Sequence, residues 1–320
     1  VPNDEKISEQ WGLVNANAYN SWDISQNANQ VIVGVVDTGI DASHSDLTNN
    51  IYRLQEHNLN TTLHRDFTTG MESGTAILEP TDPKGHGTHV AGIIGAQGNN
   101  NIGVAGICWN IKLVSLKVAD SNGAMDIKNV VKAIHYAGSK AIPILNCSFG
   151  SDHDLSSMRK AIESYDGLLV CAAGNSGYDI DSTKIYPASY DNDNIIAVGA
   201  IDSNNNRAKW KNSSNIWGLL GNDESNYGEK SVDIYAPGAN ILSTYLNNSY
   251  KEDDGTSMAA PFVTGAAALL LASNSYLTTE ELKNAIINGA EQITITVPGK
   301  GCNGVENQNV LKLNIYNSIR

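Results

Sequence analysis

Asp37, His86 and Ser257 are residue types that together can carry out nucleophilic catalysis. A serine hydroxyl is a weak nucleophile until a histidine takes its proton. That histidine works best when a carboxylate fixes its tautomer and supports the imidazolium. Asp37 closes the apolar run VIVGVVD, His86 opens GHGTHVAGIIGA after a glycine, and Ser257 opens the apolar stretch of DGTSMAAPFVTGAAALLLA. Singly, each has a plain structural explanation, as a turn-forming Asp, a His capping a helix or a Ser starting one. Those explanations do not predict all three together in the order Asp, His, Ser. The order differs from Ser, Asp/Glu, His of the α/β-hydrolases and from His, Asp, Ser of chymotrypsin-like enzymes.

These residues need elements that bring them to one place. The runs at 31–37, 111–120, 142–149, 167–175 and 194–201 are almost continuously apolar, as expected of strands covered on both faces. Helical patterns lie between them at 86–96, 126–139 and 155–164. Such alternation predicts an α/β, three-layer doubly wound fold, with a mainly parallel sheet and helices on both faces. Ligands of such sheets bind beyond the carboxyl ends of the strands. Asp37 is expected to end its strand, Asn175 to end LLVCAAGN, and His86 and Ser257 to begin helices. The positive end of the Ser257 helix would then lie behind an oxyanion. Pro261 is expected in the first turn of that helix, where no backbone partner is lost.

The stretches DTGID, GHGTHVAG and GTSMAAP, in this order, resemble those of subtilisin-like serine proteases, and the likeness runs from about Trp11 to about Ala272. It implies a single catalytic domain over 1–320, with 273–320 as a C-terminal extension. It also implies a serine endopeptidase working through an acyl-enzyme, with Ser257 as nucleophile, His86 as general base and acid, and Asp37 orienting His86. Asn175, in AAGNSG, would donate to the oxyanion beside the Ser257 N–H. An extended peptide would lie between Gly123, Ala124 and Met125 on one side and Ser148, Phe149 and Gly150 on the other. Ala172, Ala173 and Gly174, with the loop to Tyr186 and Pro187, would form the floor and wall of the S1 pocket. Small residues there imply room for a bulky P1 side chain. Ile127 and Val130 would line S4. A structural calcium ion would be held by side chains of Asp4, Asp46 and Asn100 and by backbone oxygens of Gln97, Ile102 and Val104.

The chain also departs from the family pattern. The run DFTTGMESG lacks the closely spaced acids of a second calcium loop, and Phe262 and Ala260 stand where His and Ser or Thr are common. Asp253 and Asp254 add negative charge beside Ser257, which would favour basic or polar groups on the leaving side of a substrate.

Composition excludes other classes. The net charge of −13, from 34 acidic and 21 basic residues, argues against a nucleic-acid partner. No apolar stretch near ~18 residues is evident, so a soluble chain with no membrane span is expected. The resemblance implies a monomer, secreted or in a secretory compartment, whose signal and inhibitory, folding-assisting propeptide have been removed. Of the four cysteines, Cys147 and Cys171 lie in strand-like runs and read as free buried thiols, while a Cys108–Cys302 pair stays open. Sequons occur at Asn60, Asn146, Asn212 and Asn247, and Asn146 falls in a core strand where no glycan fits. Two rival readings are an esterase, which lacks the G-x-S-x-G elbow here, and a non-catalytic scaffold, which has no need to keep four catalytic residue types.

Overall fold

A computed structural model describes residues 1–54, 58–210, 223–299 and 304–320. The predicted strands form its centre. In chain order the strands are β1 (Asn27–Asp37), β2 (Arg65–Asp66), β3 (Thr75–Ala76), β4 (Asn110–Lys117), β5 (Ile144–Cys147), β6 (Leu168–Ala172), β7 (Ile195–Ile201), β8 (Ile234–Pro237), β9 (Ile241–Tyr245), β10 (Ser249–Asp253), β11 (Glu291–Pro298) and β12 (Val305–Lys312). Among the described residues, ten of these join one sheet in the order β11-β12-β8-β7-β6-β5-β1-β4-β2-β3, and β9 and β10 pair separately. Pairing is parallel from β12 through β2, with antiparallel partners at the two edges.

The helices are α1 (Trp11–Asn15), α2 (Ala18–Ser21), α3 (His86–Gly95), α4 (Ile127–Ser139), α5 (Ser156–Glu163), α6 (Thr256–Ser273), α7 (Thr279–Gly289) and α8 (Ile315–Ile319). Alternate strand residues face opposite layers, because side chains in a strand repeat every second residue. Val33, Val35, Ile144, Leu168 and Val170 pack with α3 and α6, whereas Val36, Leu145, Leu169, Cys147 and Cys171 pack with α4 and α5. The expected three-layer fold is observed. Sequence 273–320 supplies α7, β11, β12 and α8, and β12 extends the sheet beside β8.

Helix α6 corrects two expectations. It is 18 residues long and apolar enough to cross a membrane, a stretch not expected from the sequence, but it is buried from Thr256 to Leu270 as the core helix between sheet and α3. Pro261 is its sixth residue, not a first-turn residue. It therefore removes the N–H that would have bonded the Ser257 carbonyl four residues back. The Ser148 hydroxyl takes its place, donating to that carbonyl at 2.9 Å.

Cys108, Cys147 and Cys171 are free and buried, and Cys108 donates through Sγ to the Gly265 carbonyl. Cys302 and the Asn212 sequon lie outside the described residues. Asn146 is fully buried, as its place in β5 requires.

Candidate active site

Strands β1, β5 and β6 are neighbours, and the candidate residues gather beyond their carboxyl ends. Asp37 is the last residue of β1, and its Oδ1 receives both His86 Nδ1 at 2.7 Å and the Thr38 N–H at 2.7 Å. Both side chains are buried. His86 is the first residue of α3, whose opening turn is anchored by a residue that carries no sequence signal, Asp82. Its Oδ2 accepts from the N–H and hydroxyl of Thr88, and its Oδ1 from the Thr38 hydroxyl. That hydroxyl in turn accepts from Gly87 N at 3.0 Å, tying the start of α3 to the end of β1.

Burial alone would depress the His86 pKa. The charge and hydrogen bond of Asp37 outweigh it, with smaller contributions from Asp253 and Asp82, and hold the pKa above the ordinary 6.5. The neighbouring His89 has no such carboxylate bonded to its ring and is pushed down to about 4, chiefly by burial. The acids around it single out His86 as the imidazole readily protonated after it takes a proton.

Ser257 is the second residue of α6 and is almost fully buried. Its hydroxyl donates to the Ser148 carbonyl at 3.0 Å, so the two serines are linked in both directions. Asn146 Nδ2 donates to Ser148 Oγ at 2.8 Å, and Asn146 Oδ1 accepts from the Thr264 hydroxyl at 2.8 Å. This buried polar chain fixes Ser257 to the end of β5.

Strand β6 ends at Ala172, and Asn175 lies beyond it, past a turn at Gly174 with φ +102°. Its Oδ1 accepts from both the N–H and the hydroxyl of Thr256, each at 2.9 Å. With two donors on the oxygen, Nδ2 is the end of the amide left to donate elsewhere. A Cβ on Gly255 would sit 3.3 Å from that nitrogen and 3.5 Å from Ser257 N. Gly255, at φ +146°, thus keeps open the space shared by the two donors. Thr256, the second residue of the GTSMAAP stretch, is a positioning residue whose role depends on this contact, and the contact itself is not legible in the sequence.

The substrate-edge candidates are also brought together. Gly123–Met125 folds back on Asp120, whose N–H donates to the Ala124 carbonyl and whose carboxylate accepts from the Ala124 N–H. A groove of about 640 Å³ beside it is lined by Ala124, Met125, Ile127, His153 and Leu155 among others. Val130 is buried in the core with α4 and does not line it. Ser148, Phe149, Ala172 and Ala173 are buried, and Gly150 and Gly174 flank Ile185.

The calcium candidates converge on the loop after α3. Asn100 Nδ2 donates to Asp46 Oδ1 at 2.8 Å, Val104 N to Asp46 Oδ2 at 3.0 Å and Asn99 N to Asp4 Oδ2 at 2.8 Å. Asp4 and Asp46 are buried, and among the described residues neither has an ion pair with a basic side chain. In this loop the carbonyls of Ala96, Gly103 and Ala105 accept hydrogen bonds, whereas those of Gln97, Ile102 and Val104 receive none among the described residues. The two buried carboxylates and the three carbonyls are the oxygen types a hard cation takes, whereas Asn100 turns its Nδ2 to Asp46 and its Oδ1 accepts from Ile102 N, and Asp46 Oδ2 also accepts from the Tyr250 hydroxyl. Among the described residues no cluster of three or more His, Cys, Asp or Glu side chains could hold a metal by side chains alone.

A buried Asp–His pair, a serine on a helix start and an oriented amide on a doubly wound sheet define a serine-hydrolase class of site. The subtilase family model matches residues 28–312, and the chain belongs to that family of serine endopeptidases. Subtilisin DY of Bacillus licheniformis is 35% identical over 281 residues, covering 86% of this chain and 89% of that protein. Subtilisin-like protease 2 of Plasmodium falciparum is 36% identical over 278 residues, 84% of this chain, which spans only 19% of that longer protein. Among solved structures, a protease of Pseudoalteromonas arctica aligns with a TM-score of 0.78 at 26% identity, covering 99% of this chain and 98% of that one.

Proposed function

We propose that this protein hydrolyses peptide bonds within proteins through an acyl-enzyme on Ser257. The observation that carries the reading is the buried Asp37–His86 hydrogen bond of 2.7 Å at the end of β1, with His86 on α3, which packs against α6, the helix that carries Ser257. In this reaction the Ser257 hydroxyl leaves the Ser148 carbonyl, gives its proton to His86 and attacks the scissile carbonyl. Asp37 holds the proton on His86 Nδ1 so that Nε2 takes the proton of the serine, and it stabilises the imidazolium. The oxyanion is received by Asn175 Nδ2 and Ser257 N–H, with the positive end of α6 behind them. The imidazolium then protonates the leaving amine, and water enters by the reverse path to release the acyl group.

Asp4, Asp46 and Asn100 would hold calcium with the carbonyls of Gln97, Ile102 and Val104, and the ion would neutralise two buried carboxylates. Family membership supports a protein substrate. A monomer that is secreted, or held in a secretory compartment, and released from an inhibitory propeptide completes the reading.

The test is peptidase turnover of two variants. Ser257→Ala should lose several orders of magnitude with the fold intact. Asn175→Ala should lose about 10² to 10³ in kcat, a range whose reference case is itself a subtilisin. Full activity in Ser257→Ala would refute the assignment.

A further inference from the structure

Asn175 stands on a short loop that is held from two directions. From the start of α6, Thr256 donates to Asn175 Oδ1, and the Thr256 hydroxyl also accepts from Gly174 N at 3.0 Å. The second hold comes from Asn226, a fully buried residue ahead of β8. Its Nδ2 donates to the Ala173 carbonyl at 2.8 Å, and its Oδ1 accepts from Ser176 N at 3.1 Å and from Tyr178 N at 2.8 Å. Its own N–H donates to the Gly174 carbonyl at 2.8 Å. Asn226 therefore grips the chain immediately before and immediately after Asn175.

The arrangement asks for an Asn. A primary amide carries donors on one atom and a two-fold acceptor on the other, and turning it over would set Nδ2 against two N–H groups and Oδ1 against a carbonyl. Gly174 belongs to the same arrangement. At φ +102° it makes the turn into Asn175, and a Cβ on it would sit 2.4 Å from Asn226 Nδ2. Backbone bonds continue the grip, with Gly177 N donating to the Glu224 carbonyl and Tyr227 N to the Tyr178 carbonyl, each at 2.9 Å. An oxyanion donor is effective when it is held in advance where the charge will develop, and a misplacement of about 1 Å caused far from the chemistry can cost about 10²-fold.

We propose that Asn226 is a positioning residue for the oxyanion, fixing the backbone on either side of Asn175 so that Asn175 Nδ2 points at the developing charge. The inference rests on the serine-endopeptidase reading. Its test is a double-substitution cycle on one tetrapeptide p-nitroanilide, with the native enzyme, Asn226→Ala, Asn175→Ala and the two combined. Turnover is counted per Ser257 labelled to completion by a fluorophosphonate, which removes unfolded protein from the comparison. Asn226→Ser takes the place of Asn226→Ala if the latter yields too little folded enzyme. Asn226→Ala should lower kcat about 10- to 100-fold and leave KM within about twofold, as for a contact that matters only in the transition state. In the Asn175→Ala background the same substitution should cost less than about threefold, because the amide it aims is gone. A role confined to holding the fold gives the same loss in both backgrounds. Equal losses, or an unchanged kcat in Asn226→Ala, overturn the proposal. If Ser257 takes the label and Asn175→Ala lowers kcat while the two substitutions are additive, only this inference fails. If Ser257 takes no label and no substrate is cleaved, the endopeptidase reading fails and the inference falls with it.

Discussion

Replacing Ser148 by Ala should destabilise the protein through a carbonyl that Pro261 has left without its helical donor. The Ser148 hydroxyl donates to the Ser257 carbonyl at 2.9 Å and accepts from Asn146 Nδ2 at 2.8 Å, and Ser148 and Asn146 are both fully buried. Removing it strands one buried acceptor and one buried donor, each costing about 1–3 kcal/mol, so a loss of about 2–6 kcal/mol is expected. In a Pro261→Ala background the restored N–H can bond the same carbonyl. The cost of Ser148→Ala should then fall by about 1–2 kcal/mol. The four members of the cycle would be made in a Ser257→Ala background to prevent self-digestion, which leaves the backbone carbonyl of residue 257 in place. Urea unfolding followed by tryptophan fluorescence gives the free energies. Additivity of the two substitutions within about 0.5 kcal/mol would refute the reasoning.

Other predictions concern charge. Asp253 raises the His86 pKa, and His86 must be neutral to accept a proton, so protonation removes activity as pH falls through the raised pKa. Asp253→Asn should move the acid limb of the kcat/KM profile to lower pH, and an unmoved or upward-shifted limb would contradict that role. Chelation with EDTA should lower the thermal midpoint if calcium occupies the Asp4–Asp46 loop, and Asp46→Asn should make the midpoint insensitive to chelator. A midpoint that EDTA leaves unchanged in the native protein would remove calcium from the account.

The strands and helices around the site were legible because their signals are local. β1, β6 and β7 read as apolar runs, α4 as a 3.6-residue pattern behind its Asp126 cap, and α3, buried on every side, as a short helical segment after a glycine turn. Motif spacing was enough to bring Asp37 and His86 together. Contacts between distant segments left no such trace. Asp82 matters through Thr38 and Thr88, Thr256 through Asn175, and Ser148 through a carbonyl whose need arises four residues beyond it at Pro261. Pro261 was misplaced in the first turn: even counted from Ser257 it is the fifth residue, past the N–H groups that lack a helical partner, and α6 begins one residue earlier still.

The proposed nucleophile is Ser257, activated by His86 and Asp37. Its most direct test is incubation of the folded protein with a fluorophosphonate, followed by mass mapping of the adduct. A single adduct on Ser257 is expected, slowed by several orders of magnitude in His86→Ala. A folded native protein that takes no label, or carries it on another residue, would contradict it.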